Sequence, residues 1–333
     1  MPMRRAVLIA LLIGISAIIG LTVHEGARSV ASVIAGGGWI ILLLVPIHAL
    51  PLLPDALGWR SLLRVRVPVL RLFWIASVRH AVGRLLPVAS IGGELVGIRL
   101  LSRHAVGVSD AAASVVVEVL VTLAGEFVFV LLGILCLGGL SGAAHIATLL
   151  LVGLALTLPF IITVGLLLRH GSFFERLQRL AQSIFARNRD SNDTAAAGAE
   201  TDAAIRALCR QPTRLLRAAS WQFFSMLVGC IETWAALRWL AADSNFLHAL
   251  VLESLSQAAR HIIFIMPAGL GVQEISLVAV GQLLGIGGDA ALALSLAKRM
   301  SEVLYGVPAL LSWQWVESKA LRHPAQSTTI GPR

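Results

Sequence analysis

Apolar runs of membrane length alternate along this chain with short stretches rich in arginine, and two of the runs are interrupted by Pro and Gly. A run of about 20 helical residues crosses a bilayer. By that measure the segments 6–23, 39–57, 110–140, 144–168, 218–241 and 289–316 are expected to cross as helices. The first follows Arg4 and Arg5, is long for a signal peptide and ends in no clear small-residue cleavage site, so it is expected to stay uncleaved. Ser109 or Asp110 is expected to cap the long helix that follows, on which Glu118, Thr122 and Glu126 recur at the spacing of one helical face.

The interrupted segments are 72–101 and 247–286. Their centres read Leu86-Pro87-Val88-Ala89-Ser90-Ile91-Gly92-Gly93-Glu94 and Met266-Pro267-Ala268-Gly269-Leu270-Gly271-Val272-Gln273-Glu274. Pro removes a backbone donor and Gly permits turns closed to other residues. Broken backbone survives in a membrane only where protein or water satisfies it. The halves flanking Pro87–Gly93 are too short to span, which predicts a re-entrant hairpin, with two tilted spans as the alternative. Arg79, His80 and Arg84 on one side and Arg99 and Arg103 on the other are read as flanks on the cytoplasmic face. In both motifs the Glu lies seven residues after the Pro. Further on, Gly107 corresponds to Gly287 and Glu118 to Lys298, with no gap. Interrupted segments at corresponding places in two halves point to a transporter's central site. Counting directions from the basic loops, the first break enters from the cytoplasm and the second from outside, the relation of an inverted repeat. Gly133 and Gly153 lie in plain spans and are expected to tolerate substitution.

Composition sharpens this picture. The 333 residues are 57% hydrophobic and 14% charged, with a mean hydropathy of +0.84, the profile of a polytopic membrane protein. The fold class expected is all-α: about six full spans plus two broken, re-entrant elements in a candidate inverted repeat, forming one membrane domain over 1–333. The repeat-like halves are 72–140 and 247–316. The net charge of +9 sits in loops beside apolar spans, as positive-inside topology demands, which argues against a nucleic-acid partner. Arg60, Arg64, Arg66 and Arg71 mark a basic interfacial segment, and the basic loop 169–217 is expected to be cytoplasmic, with 187–204 a solvated linker. Both termini then lie in the cytoplasm. Cys136, Cys209 and Cys230 form neither a disulfide framework nor a metal spacing.

Charges at membrane depth are functional-site candidates by default. Those proposed for a transport path are Arg84, Glu94, Arg99, Glu118, Glu274, Lys298 and Arg299, with Pro87, Gly92, Gly93, Pro267, Gly269 and Gly271 as helix breaks. Glu118 and Lys298 could pair across the pseudo-axis, or Lys298 and Arg299 could snorkel to an interface. Helix N-termini after each break would offer backbone donors to an anion. His48 is either a proton-relay group or a hydrogen-bonded packing residue. No zinc helix, nucleophile elbow or P-loop is present, so no enzyme, metal or cofactor is expected.

The two Pro/Gly/Glu motifs resemble those of the lysylphosphatidylglycerol synthetase transmembrane (flippase) family, most of all its hopanoid-biosynthesis-associated, HpnL-type inner-membrane branch. The resemblance runs from the first span to Trp315. It implies lipid handling in a bacterial inner membrane, with membrane lipids as partners and other lipid-biosynthesis proteins or a second copy as further candidates. A translocator is the leading expectation and a non-catalytic scaffold the alternative.

Overall fold

The computed structural model describes residues 42–86, 91–104, 106–140, 144–170, 191–240, 244–262 and 272–322. The first expected span, Pro87, Pro267, Gly269 and Gly271 lie outside the described residues. Among the described residues every regular element is helical. Helix α1 runs over Leu42–Leu62 and bends at Leu50 and Pro51, after which its second part, Leu52–Leu62, carries Pro54 in the first turn where no donor is lost. Helix α2, Val69–Leu85, stops at Leu86, whose ψ of 137° is the extended backbone that a following Pro imposes.

Next come α3 (Ile91–Ser102), α4 (Val108–Leu140), α5 (Ala144–His170), α6 (Ser191–Cys209) and α7 (Pro212–Trp239). Then follow α8 (Phe246–Ile262), α9 (Val272–Leu283) and α10 (Gly288–Arg322). The side chain of Asn245 accepts the His248 N–H at 3.0 Å and caps α8. At the end of α9, Gly285 adopts φ +74°, and the Ile286 N–H returns to the Gly281 carbonyl at 2.9 Å, a glycine C-cap. Helix α4 begins at Val108, so Ser109 and Asp110 both lie within its first turn instead of capping it, where the Asp110 charge meets the helix dipole.

The first interrupted segment is an antiparallel helical hairpin. Arg71 on α2 and His104 beyond α3 approach to 3.4 Å at the open end. Near the closed end, a Cβ on Gly93 would come within 2.6 Å of the Arg79 carbonyl oxygen, so only glycine allows this approach. With 12 residues, α3 is roughly 18 Å long, well short of a bilayer. Arg79, His80 and Arg84 are therefore not flanks, as the sequence suggested. They lie toward the closed end, because α2 continues four turns past the basic segment before Pro87 ends it. The second interrupted segment is the packed pair α8–α9, joined near its turn by Arg260, which donates to Gln273 at 2.8 Å.

Helix α10 shows how the hairpins relate. Its Ala291 lies beside Gly281 of α9, Arg299 reaches Glu274, Glu302 reaches Arg84, Ser312 accepts from Trp74 and Glu317 accepts from Arg103. The α8–α9 pair thus occupies the first part of α10 and the α2–α3 pair the last part. The end of α2 and the start of α9 meet α10 at adjacent positions, Arg84 at Glu302 and Glu274 at Arg299.

Apolar packing follows the same division. One buried cluster joins Leu72, Ile75, Val78, Leu100 and Leu101 of the first hairpin to Leu310 of α10. Another joins Leu252, Leu255 and Leu277 of the second pair to Ile134 and Leu137 of α4. In lipid, such contacts hold by packing more than by a hydrophobic drive, so close small-residue contacts matter. Gly133 is one, against expectation: its added Cβ would strike the Ser254 side chain, because the second hairpin packs on this face of α4. Nothing lies within 4 Å of Gly153.

The outer surface is apolar, with Leu149, Val152, Leu156, Ile162 and Leu166 of α5 exposed. Among the described residues, Leu42–Leu62 and Val108–Gly139 are long and apolar enough by length and composition to cross a membrane. The other expected crossings among the described residues do not meet that measure: α5 offers only the shorter apolar stretch Ala144–Pro159, and α7 and α10 carry inward-facing charges. The expected linker 187–204 is corrected from residue 191 onward, where α6 is a helix packed on α4, with Ile205 and Leu208 buried against Val117 and Leu62. Its alanines favour a helix and leave room for close packing, which outweighs the polar composition.

A buried ionic axis between the hairpins

Hairpin and helix geometry brings the interior charges into three groups. In the first, Arg79 donates to Glu94 at 2.5 Å and to Glu118 at 2.7 Å, while its guanidinium stacks 4.6 Å over the Trp59 ring. Trp59 is fully buried and held by Ser114 at 3.1 Å. Gln222 of α7 donates to Asp55 at 2.8 Å and reaches Glu118 at 3.5 Å.

The second group lies where the end of α2 and the start of α9 meet α10. Arg299 donates to Glu302 at 2.8 Å, Arg84 approaches Glu302 at 3.7 Å, and Arg299 stands 3.9 Å from Glu274. The last separation is an ion pair but too long for a hydrogen bond. Nε and Nη2 of Arg299, Nε2 of Gln273 and Oε2 of Glu274 are buried and have no hydrogen-bond partner among the described residues. The third group is Lys298, which donates to Glu253 and, at 2.8 Å, to Thr233; Thr233 in turn donates to Glu253 at 2.6 Å.

Glu118 and Lys298 therefore do not pair with each other: α2 supplies a closer cation to one and α8 a closer carboxylate to the other. Nor do Lys298 and Arg299 snorkel, being 5% and 6% exposed with partners inside. A charge at the bilayer centre costs about 2.5–3.5 kcal/mol on insertion scales, so pairing of this kind is what lets the groups persist. Glu94 and Glu274 occupy the first turns of α3 and α9, so each helix N-terminus faces the protein's own carboxylate. Arg99 stands apart: with Arg103 it binds Glu317 at the open end of the first hairpin, half exposed. Gly92 and Gly93 lie in the first turn of α3.

Asp55, Glu253, Arg260 and Glu302 join these groups without having been singled out in the sequence. Glu253 carried a legible signal, a lone carboxylate within an apolar run. Asp55 sits among prolines and Arg260 beside a His, where charge reads as a span end. His48 is hydrogen-bonded to Glu232 at 3.0 Å, as a packing histidine would be, and also touches His80.

A helical protein with an apolar outer face and a paired ionic interior where two hairpins converge is a membrane protein with a polar internal site. The chain belongs to the lysylphosphatidylglycerol synthase TM region family, whose model matches residues 7–309. That family places it among membrane proteins concerned with lipid handling. Comparison with curated proteins finds no match.

Proposed function

We propose that this chain is a non-enzymatic lipid translocator of a bacterial inner membrane, with hopanoid lipids as its substrate class, both termini cytoplasmic and no cofactor. The observation that carries this reading is the meeting of two helical hairpins at Arg299 and Glu302, with hydrogen-bonding capacity on Arg299, Gln273 and Glu274 that no described residue takes up. A headgroup needs shelter from hydrocarbon while its tail stays in lipid. The Arg299–Glu274 pair is not hydrogen-bonded and leaves donors and an acceptor for a headgroup that replaces it, and the partly exposed Arg84 and Glu94 extend the path toward the surface.

An inverted repeat with six full spans and two re-entrant hairpins supports alternating access. In its favour, α3 and α9 each have 12 residues and α2 and α8 each have 17. The offset from Val108 to Gly288, where α4 and α10 begin, equals that from Glu94 to Glu274. Rocking of one repeat against the other would then expose the ionic axis to each leaflet in turn. The test is translocation of a headgroup-labelled amphiphile in reconstituted vesicles. Glu274→Gln and Glu94→Gln should insert normally yet slow it about tenfold or more. Parent rates in both variants would remove the two carboxylates from the path.

One observation favours a second reading, a scaffold for membrane lipid-synthesis enzymes: Arg79 is held by two carboxylates and an aromatic ring, the mark of a structural group. Vesicles in which the protein moves no amphiphile would favour it.

A further inference from the structure

His48 touches two partners through two different nitrogens. Its Nδ1 lies 3.0 and 3.1 Å from the oxygens of Glu232 on α7, and its Nε2 lies 3.3 Å from Nε2 of His80 on α2. Glu232 also accepts the Ser301 hydroxyl at 2.5 Å. His48 is 8% exposed, whereas His80 is half-buried, one helical turn before the partly exposed Arg84. The ring nitrogens face separate partners and do not converge on a point, the layout of a relay and not of a metal site.

We infer that His80, His48 and Glu232 form a proton-exchange site that takes up one proton and passes it between the two imidazoles. The proton count follows from the contacts. With Nδ1–H of His48 donating to Glu232, the contact between the two Nε2 atoms holds one proton, carried by His80 in the neutral pair. One further proton binds at Nδ1 of His80. The shared proton then crosses to His48, leaving a neutral His80 and an imidazolium paired with the Glu232 carboxylate. A second added proton would set two N–H groups against each other and break the contact. The pair is a one-proton acceptor.

The charged and titratable groups around it are Glu302, Lys298 and Tyr305 on α10, Arg84 on α2 and Arg260 on α8. Tyr305 lies ring to ring with His48 at 5.7 Å, and Lys298 acts on Glu232. A proton arriving here adds positive charge beside the ion pairs at the hairpin tips. The site does not depend on the translocation reading, because its test involves no lipid movement.

That test follows the histidine side chains by 15N NMR in the full chain in detergent or nanodiscs, between about pH 5 and pH 8. The parent protein should show His48 and His80 taking up one proton as a linked pair. His80→Gln should shift the His48 midpoint by about one pH unit or more, a tenfold change in proton affinity, since linked sites share their titration. His145→Gln, on the exposed face of α5, should leave it unchanged. His80 is half-buried, so its variant is expected to fold; His48→Gln, read at His80, supplies the reciprocal shift. Independent titration of the two histidines, or neither taking up a proton in this range, would overturn the inference. Lipid translocation in vesicles can succeed or fail without altering either outcome.

Discussion

Arg79 and Glu94 lie 2.5 Å apart across the closed end of the first hairpin, although a Pro-interrupted turn separates them in sequence. The same guanidinium takes Glu118 from α4 and stacks on Trp59 from α1. One cation thus ties both arms of the hairpin to two neighbouring helices. In a low-dielectric interior this makes Arg79 a position where loss leaves two carboxylates uncompensated.

Arg79→Gln is therefore expected to destabilise the protein by about 3–5 kcal/mol, the cost of breaking a buried pair. Arg79→Lys should fall in between, since a point charge cannot replace a planar fork on two carboxylates and a ring. Arg99→Gln, at the half-exposed open end, should cost about 1 kcal/mol or less. Thermal unfolding in detergent ranks the three; equal losses would deny Arg79 its central role.

The pairing of Lys298 with Glu253 predicts non-additive behaviour. Glu253→Gln or Lys298→Met alone should destabilise strongly, because each leaves the other charge buried. The double variant should recover part of the loss, with a coupling of about 0.5–3 kcal/mol in a mutant cycle. Simple additivity of the two losses would show that the groups do not depend on each other.

Glycine tolerance should follow the approach of backbones and not the uniformity of the span. Gly93→Leu and Gly133→Leu should each cost about 1–3 kcal/mol or prevent assembly, since neighbouring backbone or side chains already fill the space. Gly153→Leu, with open space around it, should be tolerated. Folded yield and melting temperature read this directly. A Gly153 effect as large as that at Gly93 would contradict the hairpin geometry.

Orientation is testable with single cysteines in a background lacking Cys136, Cys209 and Cys230. Arg64→Cys and Lys319→Cys, both exposed, should be shielded from an impermeant thiol reagent in intact spheroplasts. Phe246→Cys, 40% exposed at the start of α8, should be labelled; Ser244 is buried and unsuitable. Labelling at Arg64 from outside would reverse the topology.

Local sequence sets most of the helices and both interruptions. Leu86 is extended because Pro87 follows it, α3 starts at Ile91 with the Gly-Gly pair in its first turn, and apolar runs set the length of α4, all through local sterics and backbone hydrogen bonding. Glu94, Glu118, Glu274, Lys298 and Arg299 were legible as interior charges because a carboxylate or ammonium inside an apolar run is costly wherever the run folds. Tertiary structure alone decided the partners. Glu118 binds Arg79 instead of Lys298, Lys298 binds Glu253, and the half-buried His80 meets His48. The α6 helix, too, took its place only by packing on α4. Ion pairing falls off over a few ångströms, and which charges come that close depends on how far each hairpin reaches between its neighbours and how each helix is turned about its axis. No local pattern in the chain encodes those two quantities; they follow from the packing of elements far apart in sequence.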